Sequence, residues 1–90
     1  MHIYMNIKHQ IQYYIGKTLD RATLSDDLIE ESLIALGMDS IKFISLIVTI
    51  EDEFNIEIPD ELLLLQELDT PQKIITLTEQ LVNESMFNGA

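Results

Sequence analysis

The chain has 90 residues and a formal net charge of −11, with 16 acidic side chains against five lysines and arginines. This length suits one domain, residues 1–90. Cysteine is absent, which excludes disulfides and thiolate chemistry; a reducing cytosol is compatible with this, and we expect a cytoplasmic protein. No apolar run reaches the roughly 18 residues of a membrane span. A surface with this much negative charge repels nucleic acid and anionic lipid. We therefore expect neither nucleic-acid binding nor membrane insertion.

The charge is unevenly distributed along the chain. Residues 1–21 carry a net charge of +2, whereas residues 22–90 carry −13. An acidic surface attracts basic patches on partner proteins and speeds encounter with them. The plainer alternative is that the acids keep an apolar-rich domain soluble, and charge alone leaves both interpretations open.

The first predicted helix covers about residues 2–16 and is followed by a long polar loop. Gly16 can end the helix, and in the loop Ser25 with the two aspartates after it can cap a short turn. The loop can pack onto the core through three apolar residues, Leu33, Ile34 and Leu36. Gly37 follows them, and we expect it to have a positive φ. The apolar stripe of the helix consists of Ile3, Ile7, Ile11, Tyr14 and Ile15.

A second helix is predicted from Asp39 or Ser40 to about Asn55, and its side chains divide into faces at roughly 100° per residue. The predicted buried face consists of Phe43, Leu46, Ile47, Ile50 and Phe54. A mixed apolar and polar stripe beside it consists of Ile41, Ser45, Val48 and Asp52. Such a stripe suits partner docking, although single exposed apolar residues are also common on ordinary surfaces.

Pro59 prevents continuation of the second helix, and Asp60 can cap a short third helix that ends at about Leu65. The four consecutive leucines at 62–65 spread over roughly 300° of a helical wheel, so we predict that at least one is exposed, between the second and third helices near Ser40. The alternative is that an irregular third helix buries all four.

The dipeptide Thr70-Pro71 begins a last helix. We expect the ordered part of the domain to cover about 2–82 and a tail, 83–90, to fray. The predicted fold is all-α, a small four-helix bundle with three longer helices, one short helix and a long first loop. The apolar stripe of the last helix consists of Ile74, Ile75, Leu77, Leu81 and Val82.

No set of residues in the sequence forms an active site. His2 and His9 lie two helical turns apart, too far for the four-residue histidine pair of a metal site. The consecutive acids 51–53 point in different directions on a helix. The three isolated glycines make no phosphate-binding loop. We therefore expect no catalytic residue and no metal ligand, and a protein that is not an enzyme.

The informative segment is Leu-Gly-Met-Asp-Ser-Ile at residues 36–41. It resembles the attachment motif of the acyl and peptidyl carrier proteins, Leu-Gly-x-Asp-Ser-Leu, with isoleucine as the last residue. Locally the same residues are a helix junction, a glycine stop followed by an Asp-Ser cap. The resemblance continues in the acidic run 51–61, with its Ile-Pro-Asp-Glu end, and at Asp69-Thr70-Pro71. It covers about 33–82, and the first helix matches only in kind.

This resemblance implies an acyl-carrier-like fold in which Ser40, next to Gly37 and Asp39, receives 4′-phosphopantetheine from coenzyme A. It implies a carrier that shuttles acyl or aminoacyl thioesters between biosynthetic enzymes. The implied partners are a phosphopantetheinyl transferase and enzymes that load, condense or tailor the cargo. We expect a monomer. The implied docking residues are Ile41, Lys42, Ser45, Val48 and Asp52.

Two differences from the carriers of fatty-acid synthases indicate which kind of carrier this is. Lys42 and Ser45 stand where carriers of fatty-acid synthases typically have acidic residues. The Thr70-Pro71 start of the last helix looks more like that of carriers from polyketide, nonribosomal-peptide or similar secondary-metabolite pathways. We therefore favour a secondary-metabolite pathway over housekeeping fatty-acid synthesis. The alternative from another class is an acidic helical adaptor without a prosthetic group, in which Asp39 and Ser40 would be only a helix cap.

Overall fold

The computed structural model describes residues 6–88, and side chains over 6–85. Three α-helices are present: α1 (Ile7–Thr18), α2 (Ser40–Phe54) and α3 (Pro71–Asn88). No strand occurs in this part of the chain, so the predicted all-α class is confirmed.

The predicted count of four helices is not confirmed, because the short helix expected from Asp60 to Leu65 is only a 3-10 turn, Asp60–Leu62. Pro59 occupies the position before this turn and no side chain caps it. Leu63 then leaves helical geometry, with φ −84° and ψ 43°. One uncapped turn does not repay the cost of helix nucleation. A second 3-10 turn, Asp26–Leu28, lies in the long first loop.

The hydrophobic core lies where α1 packs against both α2 and α3. The predicted buried face of α2 is confirmed at four of its five positions, and Phe54 is half-buried against the Tyr14 ring, with a centroid distance of 6.3 Å. Asn55 ends α2 in the left-handed conformation with φ 53°. The buried apolar residues are Ile11, Ile15, Leu24, Leu33, Met38, Phe43, Leu46, Ile47, Ile50, Ile58, Leu68, Ile74 and Ile75.

The predicted end of α1 at Gly16 is wrong, because the helix continues to Thr18. Gly16 instead allows the returning loop to cross the helix closely. A Cβ atom at Gly16 would lie 2.5 Å from the Cα of Thr23. At the other end, the side chain of Asn6 accepts a hydrogen bond from the Lys8 amide at 2.8 Å. The expected start near residue 2, and Ile3, lie outside the described residues.

A buried polar side chain fastens the long loop to α1. Gln12 Nε2 donates to the Leu24 carbonyl at 3.0 Å and to Asp26 Oδ1 at 2.7 Å. Lys8 Nζ lies 3.6 Å from the same carboxylate oxygen. The expected cap at Ser25 makes no side-chain hydrogen bond, since the polar group that orders this turn comes from α1.

The start of α3 is confirmed, because Thr70 Oγ1 accepts a hydrogen bond from the Lys73 amide at 3.2 Å. This helix runs to Asn88 and not to the expected Val82. Residues 83–88 contain no proline or glycine to stop it, and Gly89 comes next. The backbone of the expected tail is therefore helical over 83–88. Among the described residues, no helix is long and apolar enough to cross a membrane.

Candidate functional site

Ser40 is the first residue of α2 and its side chain is exposed. Asp39 precedes it in extended backbone geometry, and Asp39 Oδ1 accepts a hydrogen bond from the Lys42 amide at 2.8 Å. This bond satisfies one of the backbone N–H groups that every helix start leaves without an intrahelical partner. The remaining N–H groups and the helix dipole favour negative charge at this end. The hydroxyl of Ser40 is thus accessible at a place that suits an attached phosphate.

The turn before Ser40 depends on Gly37. Its φ is +107°, which confirms the predicted positive value. A Cβ at this position would meet only Leu19 Cδ2, at 3.9 Å, so the glycine is required by the backbone conformation and not by lack of space. The Met38 amide donates to the Leu33 carbonyl at 2.9 Å, and the Met38 side chain is buried. Met38 therefore anchors the chain immediately before the helix start.

The predicted docking stripe lies on the outer side of α2 and all four of its residues are exposed. Ile41 is 84 % exposed and Val48 is 50 % exposed. Ser45 and Asp52 accompany them, and Lys42 on the neighbouring side is partly exposed. Hydrophobic side chains open to this degree do not contribute to the core.

A cleft of about 510 Å³ adjoins Ser40, which is itself one of the residues lining it. Leu64 in this cleft is 52 % exposed, which confirms that at least one of the four consecutive leucines is exposed and that it lies near Ser40. Gln66 is the other polar residue of the lining. The apolar lining consists of Ile34, Phe43, Ile44, Leu63, Leu64 and Leu65.

Sequence reasoning missed how open this cleft is. Ile34 was expected to pin the loop to the core, yet it is 62 % exposed. Its neighbours Leu33 and Leu36 take that role, buried and half-buried respectively. Ile44 lies next to the buried face of α2 on a helical wheel, and its side chain is also exposed. A wheel indicates direction but not whether a neighbouring element covers it.

The other candidate groups do not converge. His9 is exposed on α1, and His2 lies outside the described residues. Glu51 Oε2 accepts a hydrogen bond from the Ile58 amide at 2.8 Å, whereas Asp52 and Glu53 are exposed. Within the part of the chain that the structure describes, no group of three His, Asp or Glu side chains could hold a metal ion.

An all-α domain with an exposed serine at the start of a helix offers an accessible hydroxyl for covalent modification. The family described as the phosphopantetheine attachment site matches this chain over residues 9–78. The match covers most of the sequence, and the chain belongs to this family. Proteins of the family are non-catalytic carriers with covalently attached 4′-phosphopantetheine. The exposed hydroxyl of Ser40, the helix start and the adjoining cleft fit such a group.

Proposed function

We propose that Ser40 is the attachment site of 4′-phosphopantetheine and that the chain carries acyl or aminoacyl groups as thioesters between biosynthetic enzymes. The observation that carries this proposal is the exposed serine at the first position of α2, inside the region that matches the family. The local motif, Gly37 to Ser40, has the spacing of the family's attachment sequence.

Attachment is a transfer of phosphopantetheine from coenzyme A by a separate transferase. A bond forms between Ser40 Oγ and the phosphorus of phosphopantetheine as the bond from that phosphorus to adenosine 3′,5′-bisphosphate breaks, and the serine proton passes to a base of the transferase. The N-terminus of α2 stabilises the negative charge of the resulting phosphodiester. Asp39 bears like charge, so its contribution is to cap the helix and to hold Ser40 in position. The bound arm supplies the thiol that this chain, which has no cysteine, lacks.

Partner enzymes are proposed to recognise the exposed stripe beside Ser40. Ile41 follows the attachment site directly, and Val48 lies about two turns further along the same side of α2. Both are open hydrophobic side chains that a partner can cover. The acidic remainder of the surface favours encounter with basic patches on those partners. The stripe is proposed to receive the transferase and the loading, condensing or tailoring enzymes.

The proposed pathway is secondary metabolism, not housekeeping fatty-acid synthesis. Lys42 and Ser45 support this, because they replace acidic residues typical of fatty-acid carriers at the proposed docking surface. The Thr70-Pro71 start of α3 also resembles that of secondary-metabolite carriers.

The test is the intact mass after incubation with coenzyme A, magnesium and a promiscuous phosphopantetheinyl transferase. The wild type is expected to gain about 340 Da, the mass of one phosphopantetheinyl group, and Ser40→Ala is expected to gain nothing. Ser25→Ala is the matched control, since Ser25 is also exposed before a helical turn and makes no cap hydrogen bond. It should be modified like the wild type.

Two outcomes would contradict the assignment. Modification that persists in Ser40→Ala places the site elsewhere. A wild type that folds but is never modified favours the acidic adaptor, in which Asp39 and Ser40 serve only as a helix cap.

A further inference from the structure

The helix α1 differs in charge from the rest of the domain. All 16 acidic residues lie between positions 20 and 84, and the 19 residues before them contain none. The first turn of α1 has no acid and instead carries Lys8 and His9, and its last turn carries Lys17. Basic groups in a first turn oppose the helix dipole. The stability of α1 therefore does not explain this pattern, and a function of the helix surface can.

Three exposed side chains, which we call the α1 stripe, lie along this helix: His9, Tyr13 and Lys17. They are four residues apart and therefore share one side of α1, at intervals of roughly 6 Å. Tyr13 is 46 % exposed. Among the described residues it is the one large exposed hydrophobic side chain that lies neither on α2 nor beside the cleft at Ser40. Neither His9 nor Lys17 forms an ion pair with a described residue.

The ring of Tyr13 is held in place by its neighbours. Lys17 Nζ lies 5.7 Å from the centroid of the ring, and the Tyr14 ring meets the Tyr13 ring edge to face with a centroid distance of 5.7 Å. Tyr14 in turn packs against Phe54 at the end of α2. A side chain that is already ordered loses little conformational entropy on binding, and tyrosine is enriched among the residues that anchor interfaces. Tyr13 is therefore suited to anchor a partner.

Two acids from other elements border the α1 stripe. Asp26 of the first loop lies 3.6 Å from Lys8, and Glu53 of α2 lies beside Tyr14, where burial of the ring and then the charge of Glu53 raise the pKa of the phenol. Neither acid forms an ion pair with a member of the stripe. At physiological salt, charges are screened beyond about 8 Å. A group that approaches the stripe therefore responds to its basic and aromatic side chains more than to the distant acids of the domain.

We propose that the α1 stripe is a second interaction surface and that its partner is an acidic amphipathic helix of another protein. A helix fits because the stripe repeats at helical intervals along a line. An apolar side chain of the partner covers Tyr13, and carboxylates one turn to either side meet His9 and Lys17.

The location of the α1 stripe keeps such a partner away from Ser40. Tyr14, next to Tyr13, contacts Phe54, which lies roughly 20 Å along α2 from Ser40. A partner held on α1 therefore leaves the proposed attachment site open to the transferase. The inference does not depend on modification of Ser40.

The probe is a synthetic helical peptide of alanine and glutamine with one leucine and a glutamate one turn to either side of it. It is titrated into the isotope-labelled domain at physiological salt, and backbone amide resonances report the site and the affinity. Resonances of α1 around Tyr13 are expected to shift, and those of Ile41 and Val48 are not. A matched peptide with glutamine in place of both glutamates should bind about tenfold more weakly. Saturating peptide should leave the rate of loading of Ser40 unchanged.

Four variants locate the binding. Tyr13→Ser should weaken it about tenfold by removing the anchor, and Tyr13→Phe should retain most of the affinity because it keeps the ring. Lys17→Gln should weaken binding about two- to fivefold. Lys73→Gln is the matched control, since it removes the same charge from α3, where Lys73 pairs with Asp69 at 2.9 Å, and it should bind like the wild type. Melting curves verify that all four variants fold.

The outcomes separate this inference from the proposed function. The absence of shifts on α1 at millimolar peptide, or binding that Tyr13→Ser leaves unchanged, overturns the α1 surface. Equal affinity for the two peptides overturns the acidic character of the partner. Shifts on α1 when the concentration of the domain alone is raised identify a second copy of the chain as the occupant and overturn the assigned partner. A domain that binds the peptide on α1 but is never modified overturns the proposed function alone.

Discussion

Substituting Gly16 by alanine tests the close crossing of the first loop over α1. The added Cβ would lie 2.5, 2.8 and 2.9 Å from the Cα, C and N atoms of Thr23. All three are backbone atoms, so no side-chain rotation relieves the contact. Ordinary carbon contacts are about 3.5–4.0 Å, so the loop must move by about 1 Å.

The expected change in the free energy of unfolding of Gly16→Ala is the balance of opposing contributions. Alanine is favoured over glycine inside a helix by about 1 kcal/mol, whereas overpacking costs about 1–3 kcal/mol. The displaced loop also strains the hydrogen bond from the Arg21 amide to the Gly16 carbonyl, at 2.7 Å, and the one from the Leu24 amide to the Gln12 carbonyl, at 3.0 Å. Each such bond contributes about 1 kcal/mol net. We expect Gly16→Ala to lower the free energy of unfolding by about 1–3 kcal/mol.

Thermal and urea unfolding measure this effect. A loss of 1 kcal/mol lowers the melting temperature of a domain of this size by about 4–8 °C. His9→Ala, at another exposed position of α1, is the control and should stay within about 0.5 kcal/mol of the wild type. If Gly16→Ala proves as stable as the wild type, or more stable through its helix propensity, the close crossing is not tight and the reasoning fails.

Three further predictions concern the cap, the docking stripe and an acid on the first loop. Asp39→Ala should cost about 1 kcal/mol by loss of the helix cap, and melting curves that match the wild type would contradict this. Val48→Asp should slow loading by a partner enzyme about tenfold and should leave the melting temperature nearly unchanged. Lys42→Glu should slow loading less, with the greatest effect at low salt. Tyr13→Asp is the control at a similarly exposed residue of α1 and should not slow loading. If Val48→Asp unfolds the domain, the residue belongs to the core. The hydrogen bond from the Gln12 amide, together with nearby Lys8, lowers the pKa of Asp26 below its ordinary 3.8. A carboxyl group whose pKa is lowered on folding stabilises the fold at pH values above its ordinary pKa, and this stabilisation is lost as the pH falls through the lowered pKa. The difference in the free energy of unfolding between the wild type and Asp26→Asn should therefore shrink, and not grow, below about pH 4. Urea unfolding at several pH values measures this difference.

The features that were predictable from sequence are set by local contacts. The faces of α2 follow from the helical period alone, and the cap at Asp39 involves residues three apart. The positive φ of Gly37 and the start of α3 at Thr70 and Pro71 likewise depend on a few neighbouring residues. The exposed serine at the start of α2 could therefore be predicted without knowledge of the remaining fold.

The features that were missed depend on residues distant in sequence. The sequence around Gly16 predicts the end of a helix, but this residue is small because the backbone of Thr23 on the returning loop passes close to it. Gln12 looks like a surface residue, yet it is buried because its amide has partners 12 and 14 residues away. The segment 60–65 has the composition of a helix and forms only one 3-10 turn. No local pattern records these long-range contacts, and tertiary context overrides propensity in each case.

The two interpretations of the acidic charge are compatible once the exposed hydrophobic residues are placed. Five large apolar side chains of the described chain lie open on the outer side of α2 or around the cleft at Ser40, and Tyr13 is the exception. Exposed apolar side chains promote self-association when they are grouped on a surface, and a net charge of −11 opposes it. Removing the hydrophobic residues would also oppose self-association, but it would remove the apolar surface beside Ser40 that we propose partner enzymes recognise. The acids therefore allow these apolar side chains to remain exposed, and the same charge would speed encounter with basic patches on the proposed partners. The five residues are Ile34, Ile41, Ile44, Val48 and Leu64.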